Sequence, residues 1–288
     1  MSRAAGFIRL LRPVNGSMMG LAVVVGASLT LAEPLSENVA LNLALGFTTA
    51  FMLSGASMAI NDYCDYDIDK INEPNRPLAS GIIRREESIV FAVIVAVLGM
   101  SASVLVNLFS PMLIIIAATS LAVSVAYATM GKRTGLLGNF MVSACVAIPF
   151  VYGSFIVGQG FTTKVFLFSV MAFLSNTGRE VAKGIVDVEG DKAKGMRTVT
   201  ATYGSKVAAT VSSIFFLSAV FLSLVPWVLG IVSPWYIPFI AVADAGFFVS
   251  SVLLVRNPSR ENARRIKNLV LVWMLLGMVS FFARALQQ

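Results

Sequence analysis

The chain has 288 residues, 57% of them hydrophobic and only 13% charged, with a formal net charge of +7 and no histidine. Without histidine, a His-ligated zinc or haem is excluded, and acid–base chemistry falls to carboxylates, Lys, Tyr or water. A mean hydropathy of +0.82 and repeated apolar runs of roughly 18–22 residues, about the length of a bilayer core, exclude a soluble protein. The chain reads as all-α and polytopic.

Nine spans are predicted, in one integral-membrane domain covering residues 1–288. Met1 to Pro13 carry Arg3, Arg9 and Arg12 but no apolar h-region or small-residue cleavage site, so no cleavable signal peptide is expected. Span 1 (14–32) opens on Asn15. Span 2 (39–60) holds Asn42 and the small stretch Ser54-Gly55-Ala56-Ser57, read as a close helix contact. It runs into Asn61-Asp62-Tyr63-Cys64-Asp65-Tyr66-Asp67-Ile68-Asp69 and a long loop, 61–87, with Lys70, Arg76, Arg84 and Arg85. Spans 3 and 4 (88–108 and 111–130) end near Tyr127, and a turn at 131–135 carries Lys132 and Arg133. Span 5 (136–157) contains Asn139 and Cys145. Span 6 (164–182) contains Asn176 and leads through Arg179 and Lys183 to Asp187-Val188-Glu189-Gly190-Asp191, in a second long loop at 179–206. Spans 7, 8 and 9 cover 206–230, 234–255 and 267–285, with a basic connection at 256–267. Asp244 lies inside span 8, where an ionisable group needs a partner; pairing with an Arg or a hydrogen bond accepted from a neighbouring helix is expected, in a structural role. Cys64 and Cys145 lack metal-ligand spacing and read as packed thiols.

The connections alternate in charge. One side receives 20 of the 22 lysines and arginines, leaving Lys164 and Arg284 on the other. Cytoplasmic loops carry the excess of Lys and Arg, which puts the N-terminus and both acidic clusters inside and the C-terminus outside. A basic protein of this kind meets anionic headgroups rather than nucleic acid.

The acidic clusters carry the chemistry. Residues at i and i+4 share a helix face, so Asn61, Asp65 and Asp69 form a stripe with Asp62 beside it, and Asp187 pairs with Asp191. Asp67 and Glu189 turn away. The unit of Asp65, Asp69 and Lys70 recurs as Asp187, Asp191 and Lys192, as two halves of one site would. Hard oxygen ligands select Mg²⁺ or Ca²⁺, and Mg²⁺ commonly bridges carboxylates to a substrate phosphate. Arg76, Lys132 and Lys183 read as phosphate contacts. A diphosphate at a membrane implies a prenyl donor, with its tail among the spans. Ionisation of the allylic carbon then requires electrostatic stabilisation of the departing anion and exclusion of water.

These residues resemble the motifs of the UbiA superfamily of intramembrane prenyltransferases. Asn61, Asp62, Asp65 and Asp69 fit its N-D-x-x-D-x-x-x-D pattern, and Asp187 and Asp191 its D-x-x-x-D. The flanks Asn72 to Leu78, Ser80-Gly81, Tyr127 to Arg133, and Arg12-Pro13 with Asn15 match as well. The resemblance implies a nine-helix bundle with a lateral or central prenyl cavity and cytoplasmic cap loops. It also implies Mg²⁺ held by Asn61, Asp62, Asp65, Asp69, Asp187 and Asp191, with the last four aspartates catalytic. Substrate and diphosphate contacts would come from Arg12, Asn15, Arg76, Tyr127, Lys132, Arg179 and Lys183. The run Gly178 to Asp191 is most similar to archaeal digeranylgeranylglyceryl phosphate synthases, which join a geranylgeranyl group to a lipid phosphate acceptor. An aromatic or chlorophyll-like acceptor is the alternative. A CDP-alcohol phosphotransferase is disfavoured because its D-G-x-x-A-R core is missing, and a transporter because only Asp244 lies near midplane. Donor chain length, number of ions, acceptor base and oligomeric state stay open.

Overall fold

The computed structural model describes residues 2–31 and 36–282; Arg284 and the far ends of the first and last predicted spans lie outside the described residues. Among the described residues all regular structure is helical. The helices are α1 (Arg3–Leu11), α2 (Pro13–Ser28), α3 (Glu37–Cys64), α4 (Tyr66–Asn72), α5 (Arg85–Leu105) and α6 (Pro111–Thr129). After a 3₁₀ turn (Gly131–Thr134) come α7 (Leu136–Ile156), α8 (Thr163–Ala193), α9 (Val199–Ser223), α10 (Val225–Val228), α11 (Tyr236–Arg256) and α12 (Arg260–Phe282). Seven stretches among the described residues are long and apolar enough to cross a bilayer: α1 with α2, then α3, α5, α6, α7, α9 with α10, and α11. The protein is a multi-pass membrane protein. The sixth and ninth predicted spans fall on α8 and α12, whose apolar runs are shared with charged residues such as Arg179, Glu180 and Lys183, or Arg264, Arg265 and Lys267.

Both long loops of the sequence reading are corrected: the second is largely helical, and the first is helical as far as Asn72 and irregular from there to Arg84. Helix continues from residue 61 to 72 with one joint, and α8 runs without a break to Ala193. Apolar length marks how much chain a bilayer covers, whereas a backbone hydrogen-bond ladder stops only where a cap or breaker ends it. At 1.5 Å per residue, the 31 residues of α8 extend about 46 Å, well beyond the roughly 30 Å hydrocarbon core.

The chain divides into two compact units, residues 1–131 with 148–161, and 132–147 with 162–288. The division falls inside α7, next to Pro149. In the first unit α3 is the central helix, packed by α1, α2, α5 and α6. Gly26 of α2 and Gly153 of α7 let backbones meet: a Cβ on Gly26 would run into the Phe150 carbonyl, and one on Gly153 into that of Val23. In lipid, association rests on such close packing rather than on a hydrophobic drive, so small residues sit at the contact. The predicted close contact at Ser54–Ser57 is present: Gly55 lies against Leu11, and the Ser57 and Ser124 hydroxyls are 2.8 Å apart. A smaller cluster of Leu10, Ala59, Leu78, Ile83 and Ala92, with Tyr63 and Tyr66 against it, underlies the end of α3.

In the second unit α8, α9, α11 and α12 close a ring, each helix touching the next. Val181, Ile185, Phe216, Phe247, Leu254 and Ile266 fill its interior. The Ser223 hydroxyl on α9 donates to Asp244 Oδ2 on α11 at 2.7 Å, and the Tyr236 hydroxyl donates to the Ser223 carbonyl at 3.0 Å. Of the two partners expected for Asp244, the structure shows the hydrogen bond from a neighbouring helix.

Candidate functional site

The first acidic cluster forms where two helices share one residue. Asp65 ends α3 and begins α4, with φ −87° and ψ 2°. Its N–H donates to the Asn61 carbonyl at 2.9 Å, and its own carbonyl accepts from the Asp69 N–H at 2.8 Å. The i to i+4 ladder therefore passes through the joint, and positions 61, 65 and 69 stay on one side. Asn61 Nδ2 donates to Asp65 Oδ2 at 3.0 Å. Asp67 is exposed, as its spacing requires.

Asp62, Asp65 and Asp69 are buried, at 2%, 8% and 5% exposure. Carboxylates that far from water must be compensated. Two arginines do this. Arg12 Nη2 lies 2.5 Å from Asp62 Oδ1, while Arg76 Nη1 bridges Asp62 Oδ1 at 3.2 Å and Asp69 Oδ2 at 2.6 Å. Arg12 sits between α1 and α2 in a left-handed conformation, φ 48° and ψ 67°. Pro13 disfavours the right-handed helical region for the residue before it, and the chain turns there instead. The turn sends the guanidinium past Met58 Sδ, 3.2 Å away, to Asp62. Burial raises the Asp69 carboxyl to about 6; Arg76 pulls it down, while Asp62 and Asp65 push it further up. Three carboxylates thus crowd one place, with Arg12 and Arg76 on Asp62 and Asp69. Asn15 lies one turn into α2 and Tyr127 near the end of α6, both half-buried.

The second cluster lies on the last turns of α8. Asp191 is 8% exposed and Asp187 half-buried. Glu189 is turned outward, where it pairs with Arg260 at 2.9 Å. Upstream, Glu180 is buried and takes Arg179 Nη1 at 3.0 Å on Oε1 and Lys183 Nζ at 3.2 Å on Oε2. Arg179 Nε also donates to the Lys267 carbonyl of α12 at 3.1 Å. Lys132, in the 3₁₀ turn, is within electrostatic reach of Glu180. Among the described residues, no three of His, Cys, Asp and Glu already converge as a metal cage. The donors are nevertheless those of a hard divalent cation, oxygen without nitrogen or thiolate.

In the first unit the structure thus brings together Arg12, Asn61, Asp62, Asp65, Asp69 and Arg76. In the second it gathers Arg179, Lys183 and Lys132 around Glu180, which the sequence reading passed over. The available signal was an acid placed between a cation one residue before and another three residues after, at the end of an apolar run.

A helical membrane protein with buried aspartates on two helix ends is the class that fold and residues define. The chain belongs to the UbiA prenyltransferase family, whose pattern matches residues 20–280. It is 35% identical over 280 residues to the digeranylgeranylglyceryl phosphate synthase of Archaeoglobus fulgidus, covering 96% of this chain and 94% of that one. A solved structure reported for digeranylgeranylglyceryl phosphate synthase in membranes superposes with a TM-score of 0.73 at 28% identity, over the full length of both chains. A UbiA homolog from Archaeoglobus fulgidus bound to GPP and Mg²⁺ shares the fold, with a TM-score of 0.63 at 16% identity over 96% of this chain and 99% of the other. The family resemblance read from the motifs is borne out.

Proposed function

We infer that this protein transfers a geranylgeranyl group from geranylgeranyl diphosphate to the free hydroxyl of geranylgeranylglyceryl phosphate. The observation that carries this reading is the 35% identity, over nearly the whole of both chains, to a protein named digeranylgeranylglyceryl phosphate synthase. In the reaction the bond between the allylic carbon and the diphosphate oxygen breaks. An ether bond forms to the acceptor hydroxyl, whose proton is released, and diphosphate leaves. The product is an archaeal-type ether phospholipid precursor.

The chain acts as a nine-span, all-α bundle with its N-terminus, its cap segments and both acidic clusters on the cytoplasmic side, and with the prenyl tail in a cavity among the helices. The charge bias of the connections supports that orientation. Asn61, Asp62, Asp65, Asp69, Asp187 and Asp191 are the oxygen ligands proposed for Mg²⁺, which when bound supplies positive charge to the diphosphate oxygens. The support for treating the two clusters together is their shared spacing and their shared loop charge. Arg12 and Arg76, already on the carboxylates, are placed to hold the departing diphosphate, and Asn15 and Tyr127 lie in the flanking motifs. Lys132, Arg179 and Lys183 are the phosphate contacts of the second unit. Apolar helix walls exclude water from the reacting carbon.

The test is an assay of the purified protein in lipid with geranylgeranyl diphosphate and either geranylgeranylglyceryl phosphate or hydroxybenzoate. Ether product and diphosphate in equal amounts with the first acceptor are expected. Turnover of hydroxybenzoate alone would assign the aromatic class instead.

A further inference from the structure

The joint at Asp65 is spanned from two sides. On the acid side Arg76 reaches Asp62 of α3 at 3.2 Å and Asp69 of α4 at 2.6 Å. On the other side a second arginine spans it through aromatic rings. The guanidinium carbon of Arg85 lies 4.4 Å from the ring centre of Tyr63, on α3, and 5.5 Å from that of Tyr66, on α4. Both fall within the ~6 Å over which an aromatic face attracts a cation. Lys70 adds its ammonium 4.0 Å from the Tyr66 ring centre.

At about 100° per residue, Tyr63, Tyr66 and Lys70 stand roughly 160°, 100° and 140° round the helix from Asp65. This face is therefore turned away from the stripe of Asn61, Asp65 and Asp69. The support behind it is firm. Both tyrosines pack on the cluster that contains Leu10, Leu78 and Ile83. The first turn of α5, which carries Arg85, is fixed to α3 by the buried Ser88 hydroxyl, donating to the Ala59 carbonyl at 3.2 Å. Glu87, on the same turn, accepts from the Arg84 N–H at 3.0 Å and pairs with Arg3. Arg85 thus ties both arms of the joint to a third helix whose end is itself pinned.

A cation taken up by the aspartates competes with Arg76 for the same oxygens, so the tie on the acid side weakens as the site fills. The tie through Tyr63 and Tyr66 uses no carboxylate and stays. We propose that Arg85 is a positioning residue: through the two tyrosines it sets the angle at Asp65, and with it the spacing between the α3 aspartates and Asp69 at which Mg²⁺ is taken up. This rests on the assignment of those aspartates to Mg²⁺ above. Charge alone gives the opposite sign, because a cation removed from the neighbourhood of the aspartates favours the binding of another.

The experiment follows wild type, Arg85→Gln, Arg85→Lys and, as an equal change of charge one residue away, Arg84→Gln, each purified in lipid. Two quantities are read without substrate: the Mg²⁺ concentration that half-saturates the rise in melting temperature, and deuterium uptake by the backbone of residues 61–72. In Arg85→Gln the half-saturating Mg²⁺ is expected to rise about fivefold, the size that loss of its two ring contacts allows. Uptake at residues 61–72 is faster, and kcat at saturating Mg²⁺ stays within about twofold of wild type. Arg85→Lys recovers part of both shifts, and Arg84→Gln produces neither. A merely structural role would lower the melting temperature without moving the Mg²⁺ midpoint, and that outcome overturns the proposal, as does a tighter midpoint or unchanged uptake. If Arg85→Gln does not fold, Tyr66→Leu is read in the same way against Tyr66→Phe, which keeps the ring. A wild type whose melting temperature does not respond to Mg²⁺ removes the metal assignment and this proposal together; a wild type that responds, with an unmoved midpoint in Arg85→Gln, removes only the proposal.

Discussion

The two acidic helix ends solve the problem of buried carboxylates in different ways. At the end of α3 the helix is jointed at Asp65, and compensation comes from far along the chain, from Arg12 and Arg76. Along α8 the helix is continuous, and buried Glu180, upstream of its acidic end, is served by cations on its own turns. The first arrangement depends on tertiary folding, because Arg12 is 50 residues from Asp62. The second is largely local to one helix, with the Lys267 carbonyl and Lys132 added from other segments. A joint at the first end and a rigid rod at the second therefore carry similar sequence spacing on mechanically unlike supports.

The largest expected effect tests whether both ends serve one reaction. Asp69→Ala and Asp191→Ala should each reduce diphosphate release by about 10³-fold, measured by a coupled phosphate assay on protein that keeps its thermal unfolding profile. Loss in one variant with full activity in the other would break the equivalence of the two ends. Next comes stability at the jointed end. Arg76→Ala strips the partner from buried Asp69 and should cost about 3 kcal/mol in metal-free protein. Added Mg²⁺ should raise the melting temperature of this variant more than that of wild type. An equal shift in both would mean that Arg76 and the ion do not share the carboxylates.

A smaller effect concerns the chain that follows α8. Gly204 interrupts α9 with φ 86° and ψ 167°, a region essentially closed to other residues, so Gly204→Ala should destabilise by about 1–3 kcal/mol. A shift of that size in denaturant midpoint would show that the second unit has its own required break, past the acids rather than among them. Glu189→Gln should do least. Its pair with Arg260 is exposed, worth at most about 1 kcal/mol, and both activity and melting temperature should stay near wild type. A large activity loss there would return Glu189 to the site.

The outward turn of Asp67 and Glu189 and the interhelical bond of Asp244 were legible in the sequence, because helical periodicity and the cost of burying charge are local rules. The positions of the seven stretches that, among the described residues, are long and apolar enough to cross a bilayer were legible from their hydropathy. Helix through the acidic clusters followed from their i, i+4 spacing, but its reach to Asn72 and Ala193 did not: hydropathy marks the bilayer, and nothing in it marks the end of a hydrogen-bond ladder. The reach of Arg12 to Asp62 was hidden as well, since a left-handed residue between two helices changes direction without leaving a compositional trace. Glu180 was missed because a carboxylate between two cations reads as a solvated surface pair until its burial is known. Local rules saw what faced where; they did not see which distant charge would be spent on which.

The two guanidiniums on the first cluster also bear on how the protein comes into being. Nascent helices enter a bilayer in order, and Arg12, in the earliest of them, is available as soon as the segment bearing Asp62 arrives. Arg76 follows within the same stretch of synthesis. The chain thus carries counter-ions of its own for its most costly residues, and this helix end can close on charges written into the sequence before anything else is bound.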